Sequence, residues 1–180
     1  MFRWPLEPGF DLCLLEARHT ETLYALIDAE RAHLRRYLSW VDATRGPHDS
    51  AMFIQTMLEH FARSQSLSVG IFSEGELAGV VGYHLIDWAN RRTSLGYWLS
   101  HRFEGRGLMT RAVRAMTRHA FEQLGLHRLE IRAATDNRRS RSVAERAGYT
   151  FEGLCPGAEW LHDRFVDHAI YGALRPSWTP

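Results

Sequence analysis

The chain has 180 residues, 45% hydrophobic and 24% charged, the make-up of one globular domain with a sizeable core, expected over residues 1–180. A formal net charge of +1 excludes a field strong enough to hold a nucleic-acid backbone non-specifically, and two cysteines, Cys13 and Cys155, are too few for a disulfide framework. Residues 1–10 contain two prolines and no apolar h-region, and no apolar run approaches the roughly 20 residues that span a bilayer. The expectation is a soluble, cytoplasmic protein with no membrane and no direct nucleic-acid partner.

Residues 10–17 alternate weakly and predict a first strand. Over 19–37, Leu23, Leu26, Ile27 and Leu34 recur at helical spacing, with a break expected near 29–31. A loop over 45–49 follows, and Asp49 or Ser50 is placed to cap a helix carrying Phe53, Met57, Leu58 and Phe61 on one side. Residues 67–72 predict a strand, Glu74-Gly75-Glu76 a hairpin tip and 77–88 the returning strand. A turn at 89–92 leads to a strand at 93–99, so the sheet begins as a meander. A glycine-containing loop over 101–107 then opens a long helix that ends near Gly125, read as its C′ glycine. A strand at 128–134, a short helix at 140–146 stopped by Gly148, and strands at 149–153 and 164–174 complete the order β-α-α-β-β-β-α-β-α-β-β. No internal repeat and no linker interrupts it.

The unit that carries chemistry is the strand ending Gly96-Tyr97-Trp98-Leu99, the loop Glu104-Gly105-Arg106-Gly107 and the helix from Leu108. The first amides of a helix lack intrahelical partners, the helix dipole adds positive potential, and glycines let backbone approach an anion closely. The unit therefore points to phosphate, although a tight turn would need the same glycines. It is not a P-loop, which ends in Gly-Lys-Ser/Thr. Nor is it a dinucleotide fingerprint, because Thr110 stands where a third glycine is required.

These residues, followed by Leu108-Met109-Thr110-Arg111-Ala112, resemble the acetyl-CoA motif of the GNAT N-acetyltransferases, Gln/Arg-x-x-Gly-x-Gly/Ala. Arg102-x-x-Gly105-x-Gly107 matches it literally. Thr110-Arg111-Ala112, similar to the Ser/Thr-Glu-Ala after the motif in RimJ/RimL-like sequences, favours the register Glu104-x-x-Gly107-x-Met109. A second block, Asp136-Asn137 through Ser140, Val143, Glu145-Arg146 and Gly148-Tyr149, is similar to the family's Asn-x-x-Ser-x-x-Val-x-Glu-Lys-x-Gly-Phe, and Phe151-Glu152-Gly153 fits the strand after it. The resemblance implies an α/β (α+β) GNAT fold. Its central sheet is mixed and mostly antiparallel, with about seven strands, a splay between strands 4 and 5 (93–99 and 128–134) and about four flanking helices. It implies acetyl-CoA as co-substrate and coenzyme contacts from Trp98, Leu99, Glu104, Gly105, Arg106, Gly107, Leu108, Met109, Thr110, Asn137, Ser140 and Arg146. Arg102, Arg106, Arg138, Arg139, Arg141 and Arg146 are candidates for the 3′-phosphate or simply a solvated face.

Acyl transfer to an amine needs a proton acceptor for the amine and help for the departing thiolate. Many relatives place a tyrosine where Ala144 stands here. Ser140 is the nearest hydroxyl, and RimL-like sequences have a serine at this place, so the resemblance assigns it to the coenzyme sulfur; an ordinary helix-start serine is the alternative. Glu159, in a segment where RimL-like enzymes carry a glutamate facing the acceptor, is the expected base, its pKa raised if it lies among Trp160, Trp98 and Leu161. Glu152 and Asp163 are weaker candidates, and Cys155 has no activating base in sequence. Tyr37 and Trp40, in a segment that resembles the acceptor-side Leu-x-Trp of RimL-like enzymes, are assigned to the acceptor cleft, with core packing the alternative. No His-x-x-x-His and no Cys/His cluster is present, so no metal is expected.

The resemblance implies acetylation of the α-amine of a protein or peptide N-terminus, of the ribosomal-protein type. An α-amine has a pKa near 8 against about 10.4 for lysine, so it is deprotonated at about 3 kcal/mol lower cost. A small amine such as an aminoglycoside, polyamine or amino acid is the second acceptor class, and a non-catalytic CoA-binding sensor the alternative of another kind. Related enzymes often dimerise, so a homodimer is one arrangement that the resemblance implies.

Overall fold

The computed structural model describes residues 3–179; Met1, Phe2 and Pro180, at the ends of the expected 1–180 domain, lie outside the described residues. In chain order the elements are β1 (Arg3–Glu7), β2 (Phe10–Leu14), α1 (Thr20–Ala29), α2 (Arg31–Leu34), α3 (Pro47–Ala62), β3 (Ser68–Ser73), β4 (Glu76–Tyr83) and β5 (Arg92–Leu99). They continue with α4 (Leu108–Glu122), β6 (Arg128–Ala134), α5 (Arg138–Arg146), β7 (Thr150–Leu161) and β8 (Arg164–Leu174). Two units divide the chain, residues 3–82 with 97–108 and residues 83–96 with 109–179.

In the first unit β1, β2, β3 and β4 pair antiparallel in that order. The end of β5 lies on β4, where the Ser100 amide donates to the Ala78 carbonyl at 2.8 Å. Gly79 has no Cβ because one would run into the Trp98 carbonyl. Leu15, Leu23, Ile27, Ile54, Leu77 and Val80 form the core, and the partly buried Trp98 packs against it. α1 and α3 supply its helical side through Leu23, Ile27 and Ile54, at the spacing of an amphipathic helix.

In the second unit the start of β5 pairs parallel with β6, from Arg92↔Arg128 to Leu95↔Ile131. β6 continues three residues further, antiparallel to β8, and β8 pairs antiparallel with β7. Leu129, Ile131 and Ala133 on β6 are buried at period two, while Ala112, Val113, Met116 and Ala120 on α4 are buried at helical spacing. The β5–β6 ladder thus stops one residue before Gly96, within the pair of strands for which a splay is expected.

Several expectations need correction. Among the described residues eight strands replace about seven, so the pair for which a splay is expected is numbered β5 and β6 rather than strands 4 and 5, and five α-helices replace about four. The extra strand is β1, which Pro5 disguises; among the described residues it pairs with β2 alone, and an edge strand tolerates a proline. β7 runs on to Leu161 instead of ending at 153, because Pro156 and Gly157 fall inside a bulge between Cys155 and Glu159. β4 stops at Tyr83, and Leu85 and Trp88 are exposed beyond it. α3 starts at Pro47 with Gly46 as N-cap; Asp49 sits at the third helical position and accepts from the Gly46 and Arg45 amides at 3.0 and 2.8 Å. α5 starts two residues earlier than expected, at Arg138. The helical break near 29–31 falls at Glu30, between α1 and α2.

Candidate active site

In the loop between β5 and α4 two apolar side chains anchor the chain while the backbone of its two glycines lies open. Phe103 and Leu108 are buried, whereas Gly105 and Gly107 are exposed. Both glycines have positive φ, +75° and +74°, and a Cβ on either would meet nothing within 4 Å. Open space over a left-handed backbone at a helix start is the form of an anion cradle, and it fits a pyrophosphate. Arg102 and Arg106 lie over the Phe103 ring at 5.5 and 5.4 Å, and Arg102 also pairs with Glu76 at 3.2 Å. Glu104, the atypical residue of the motif, lies 3.3 Å from His33.

Sequence reasoning missed the residue that holds this loop. Glu30, buried at the α1–α2 break, accepts from the Ser100 hydroxyl at 2.6 Å and from the His101 ring at 2.7 Å. Burial works against its charge, but hydrogen bonds from Ser100, the His101 ring and the His101 amide outweigh it and bring its pKa below the ordinary carboxylate value. Trp40 and Trp98 come together in this unit, ring centroids 6.2 Å apart, with Trp40 partly exposed. Tyr37 stands in the turn after α2, its amide bonded to the Leu34 carbonyl.

The second unit holds the other predicted residues. Met109 and Thr110, in the first turn of α4, have buried side chains, so what they can offer a ligand is their backbone. The Arg146 guanidinium reaches Thr110 Oγ1 at 3.5 Å. Asn137 caps α5, its side chain accepting from the Ser140 amide at 3.1 Å; the cap is therefore the asparagine and not the serine. Arg141 is committed to the fold, donating to the Tyr171 hydroxyl and the Thr135 carbonyl.

Glu159 is partly buried on β7, with Oε2 3.2 Å from His168 Nε2 on β8. The bulge ahead of it sets three β7 residues against Asp167, whose carboxylate accepts from the Gly157 amide at 2.8 Å. Bulges re-aim side chains, and this one shifts the register just before Glu159. Of the other acids, Glu152 is bound by Arg128, which lowers its pKa, and is thereby unsuited to accept a proton. Asp163 lies in the turn between β7 and β8. His168 and Asp167 carry no sequence signal: a lone histidine and a strand aspartate match no ligand spacing. Among the described residues no group of three His, Cys, Asp or Glu is placed to hold a metal ion, and no helix is long and apolar enough to cross a membrane.

The acetyltransferase (GNAT) domain family matches residues 11–150. The ribosomal-protein-serine acetyltransferase of Escherichia coli (strain K12) is 29% identical over 166 residues, covering 92% of this chain and 93% of that one. RimL, a ribosomal L7/L12 alpha-N-protein acetyltransferase solved in complex with coenzyme A, matches with a TM-score of 0.92 at 26% identity, over 96% of this chain and 97% of that one. The microcin C7 self-immunity acetyltransferase MccE, solved with acetyl-CoA and AMP, matches with a TM-score of 0.89 at 28% identity over 93% of both chains. With the glycine cradle and the strand order already described, these matches place the chain in the GNAT family, as an N-acetyltransferase that uses acetyl-CoA.

Proposed function

We propose that residues 1–180 form one cytoplasmic acetyltransferase domain that acetylates the α-amine of a protein N-terminus, of the ribosomal-protein type. The observation that carries the acceptor is the match, over nine-tenths of both chains, to an enzyme named for serine on a ribosomal protein. Acetyl-CoA supplies the acyl group as a thioester. Gly105, Arg106, Gly107, Leu108, Met109 and Thr110 offer amides to its pyrophosphate, and Trp98 and Leu99 give an open strand end to its pantetheine. Glu104 shapes the loop, while Asn137 and Arg146 complete the coenzyme side.

Glu159 takes the proton from the incoming ammonium, which makes the nitrogen a nucleophile. His168 beside it gives that carboxylate a fixed direction. Ser140, at the third position of α5, donates a hydrogen bond toward the departing sulfur; Asn137 already caps that helix. Tyr37 and Trp40 line the acceptor side. The test is a panel of acceptors read by thiol release from acetyl-CoA: peptides with free N-termini, the same peptides blocked but carrying lysine, spermidine, an aminoglycoside and free amino acids. Turnover confined to free peptide N-termini supports the reading; turnover confined to the small amines overturns it.

A further inference from the structure

Three side chains at the break between α1 and α2 reach outward in two directions. Glu30, 3% exposed, accepts from the Ser100 hydroxyl at 2.6 Å, the His101 ring at 2.7 Å and the His101 amide at 3.3 Å. One turn further on, His33 Nε2 lies 3.3 Å from Glu104 Oε1. Between them Arg31 donates to the Val41 and Thr44 carbonyls at 2.7 and 2.8 Å, closing the turn that carries Trp40. The two ties to the glycine loop are therefore made at its ends: Ser100 and His101 where it leaves β5, and Glu104 just ahead of Gly105.

The Glu30 contact does more than tether. Because the Ser100 proton points to the carboxylate, the lone pairs of its oxygen face the Arg102 amide, 3.3 Å away, and cap the turn His101–Phe103. A buried carboxylate is costly to keep unless it is well bonded, and the donors to this one come from two residues of a single loop. That expense is hard to explain as packing alone, for which an apolar side chain of similar volume would serve.

We propose that Glu30 is a positioning residue for coenzyme binding: through Ser100 and His101 it holds the loop in the shape in which the Gly105–Gly107 backbone faces the pyrophosphate, with His33 holding the Glu104 end. The proposal rests on the reading of this loop as the pyrophosphate site. Glu30→Gln keeps the size and one acceptor oxygen but sets an amide group against the His101 donors. Loss of charge-assisted hydrogen bonds of this kind weakens CoA binding by roughly 10- to 100-fold.

The experiment is calorimetric titration of CoA into wild type, Glu30→Gln, Ser100→Ala, the double variant and Gly107→Val, with circular dichroism establishing that each is folded at the working temperature. The expected result is a raised Kd for CoA and a raised KM for acetyl-CoA in both single variants, an acceptor KM within twofold of wild type, and a double variant no worse than the weaker single one. A purely structural role lowers the melting temperature without separating the two KM values. If Glu30→Gln does not fold, Ser100→Ala carries the same test from the loop side. CoA affinity within twofold of wild type in folded Glu30→Gln or Ser100→Ala, with binding lost in Gly107→Val, overturns the role of Glu30 and leaves the pyrophosphate site standing. Normal affinity in Gly107→Val as well overturns both.

Discussion

In the loop between β5 and α4 the surface proposed to meet the coenzyme is backbone: Gly105 and Gly107 are exposed, and the neighbouring Phe103 and Leu108 bury their side chains. In the β7–β8 hairpin the arrangement is reversed. There the backbone is occupied by the strand ladder, and side chains form the outer surface, with Leu154, Trp160 and Phe165 exposed and Glu159 facing His168. A backbone surface is specified by conformation and tolerates changes of side chain. A side-chain surface is specified by residue type and tolerates small shifts of backbone. The first suits an invariant coenzyme; the second suits an acceptor whose identity varies among relatives.

The largest effect that follows is at Gly107. Gly107→Val puts a branched side chain where φ is +74° and into the open space over the loop, so CoA binding is expected to vanish while the chain stays folded. Arg106→Ala in the same loop should change CoA affinity by less than about tenfold, since an exposed guanidinium contributes a screened contact. Calorimetry on the pair breaks the comparison if Arg106→Ala is the more damaging of the two. On the hairpin, Glu159→Gln should lower turnover by roughly 10² to 10⁴-fold with CoA affinity unchanged, the usual cost of losing a general base. The variant should recover rate at high pH, where an α-amine of pKa near 8 is already neutral. Near-normal turnover at pH 7 would remove Glu159 from the mechanism.

The same contrast decides what could be read in the sequence. Interior elements such as β6 and α4 were legible because burial on a known face imposes period two or 3.6. β1 and the second half of β7 were not, since each contains a proline that is harmless only on a strand lacking a second partner or inside a bulge. The glycine loop was legible because a left-handed backbone demands a particular residue. Glu30 was not: an acid at a helix end reads as solvated, and its partners lie 70 residues further along the chain. Asp167 was hidden for a different reason: its partner Gly157 is near in sequence, but its role is defined by a bulge that only the pairing reveals.

Asp167 offers a smaller and more selective test of the hairpin. Its carboxylate holds the Gly157 amide, and with it the bulge that precedes Glu159. Asp167→Ala should reduce turnover by about tenfold, through misplacement of Glu159 and not through lost chemistry. Asp167→Asn keeps an acceptor oxygen and should restore most of the rate. Equal losses in the two variants would mean that charge, and not the shape of the bulge, is what matters there.

The smallest effect concerns how the hairpin is fastened at its root. Glu152 on β7 reaches Arg128 on β6 across Gly172 of β8, with Nη1 to Oε1 at 2.8 Å, and a Cβ on Gly172 would displace the Glu152 carboxylate. Gly172→Ala therefore exchanges one term for another. Alanine in a strand interior is worth about 0.5–1 kcal/mol over glycine, while a partly exposed ion pair contributes about 0.2–1 kcal/mol, so the melting temperature near pH 7 should hardly move. Acidification separates the terms. The hydrogen bond from Arg128 is the main reason that the Glu152 pKa lies below its ordinary value. A carboxylate whose pKa is lowered on folding contributes stability above its unfolded pKa, and that contribution disappears as pH falls through the lowered value. The wild type then loses its ion pair while the variant keeps the benefit of alanine. The melting temperature of Gly172→Ala relative to wild type should rise by about 1–3 °C between pH 7 and pH 3. A constant difference across that range would mean that the Arg128–Glu152 bridge adds nothing to stability, and that the root of the hairpin is held by the β6–β8–β7 ladder alone.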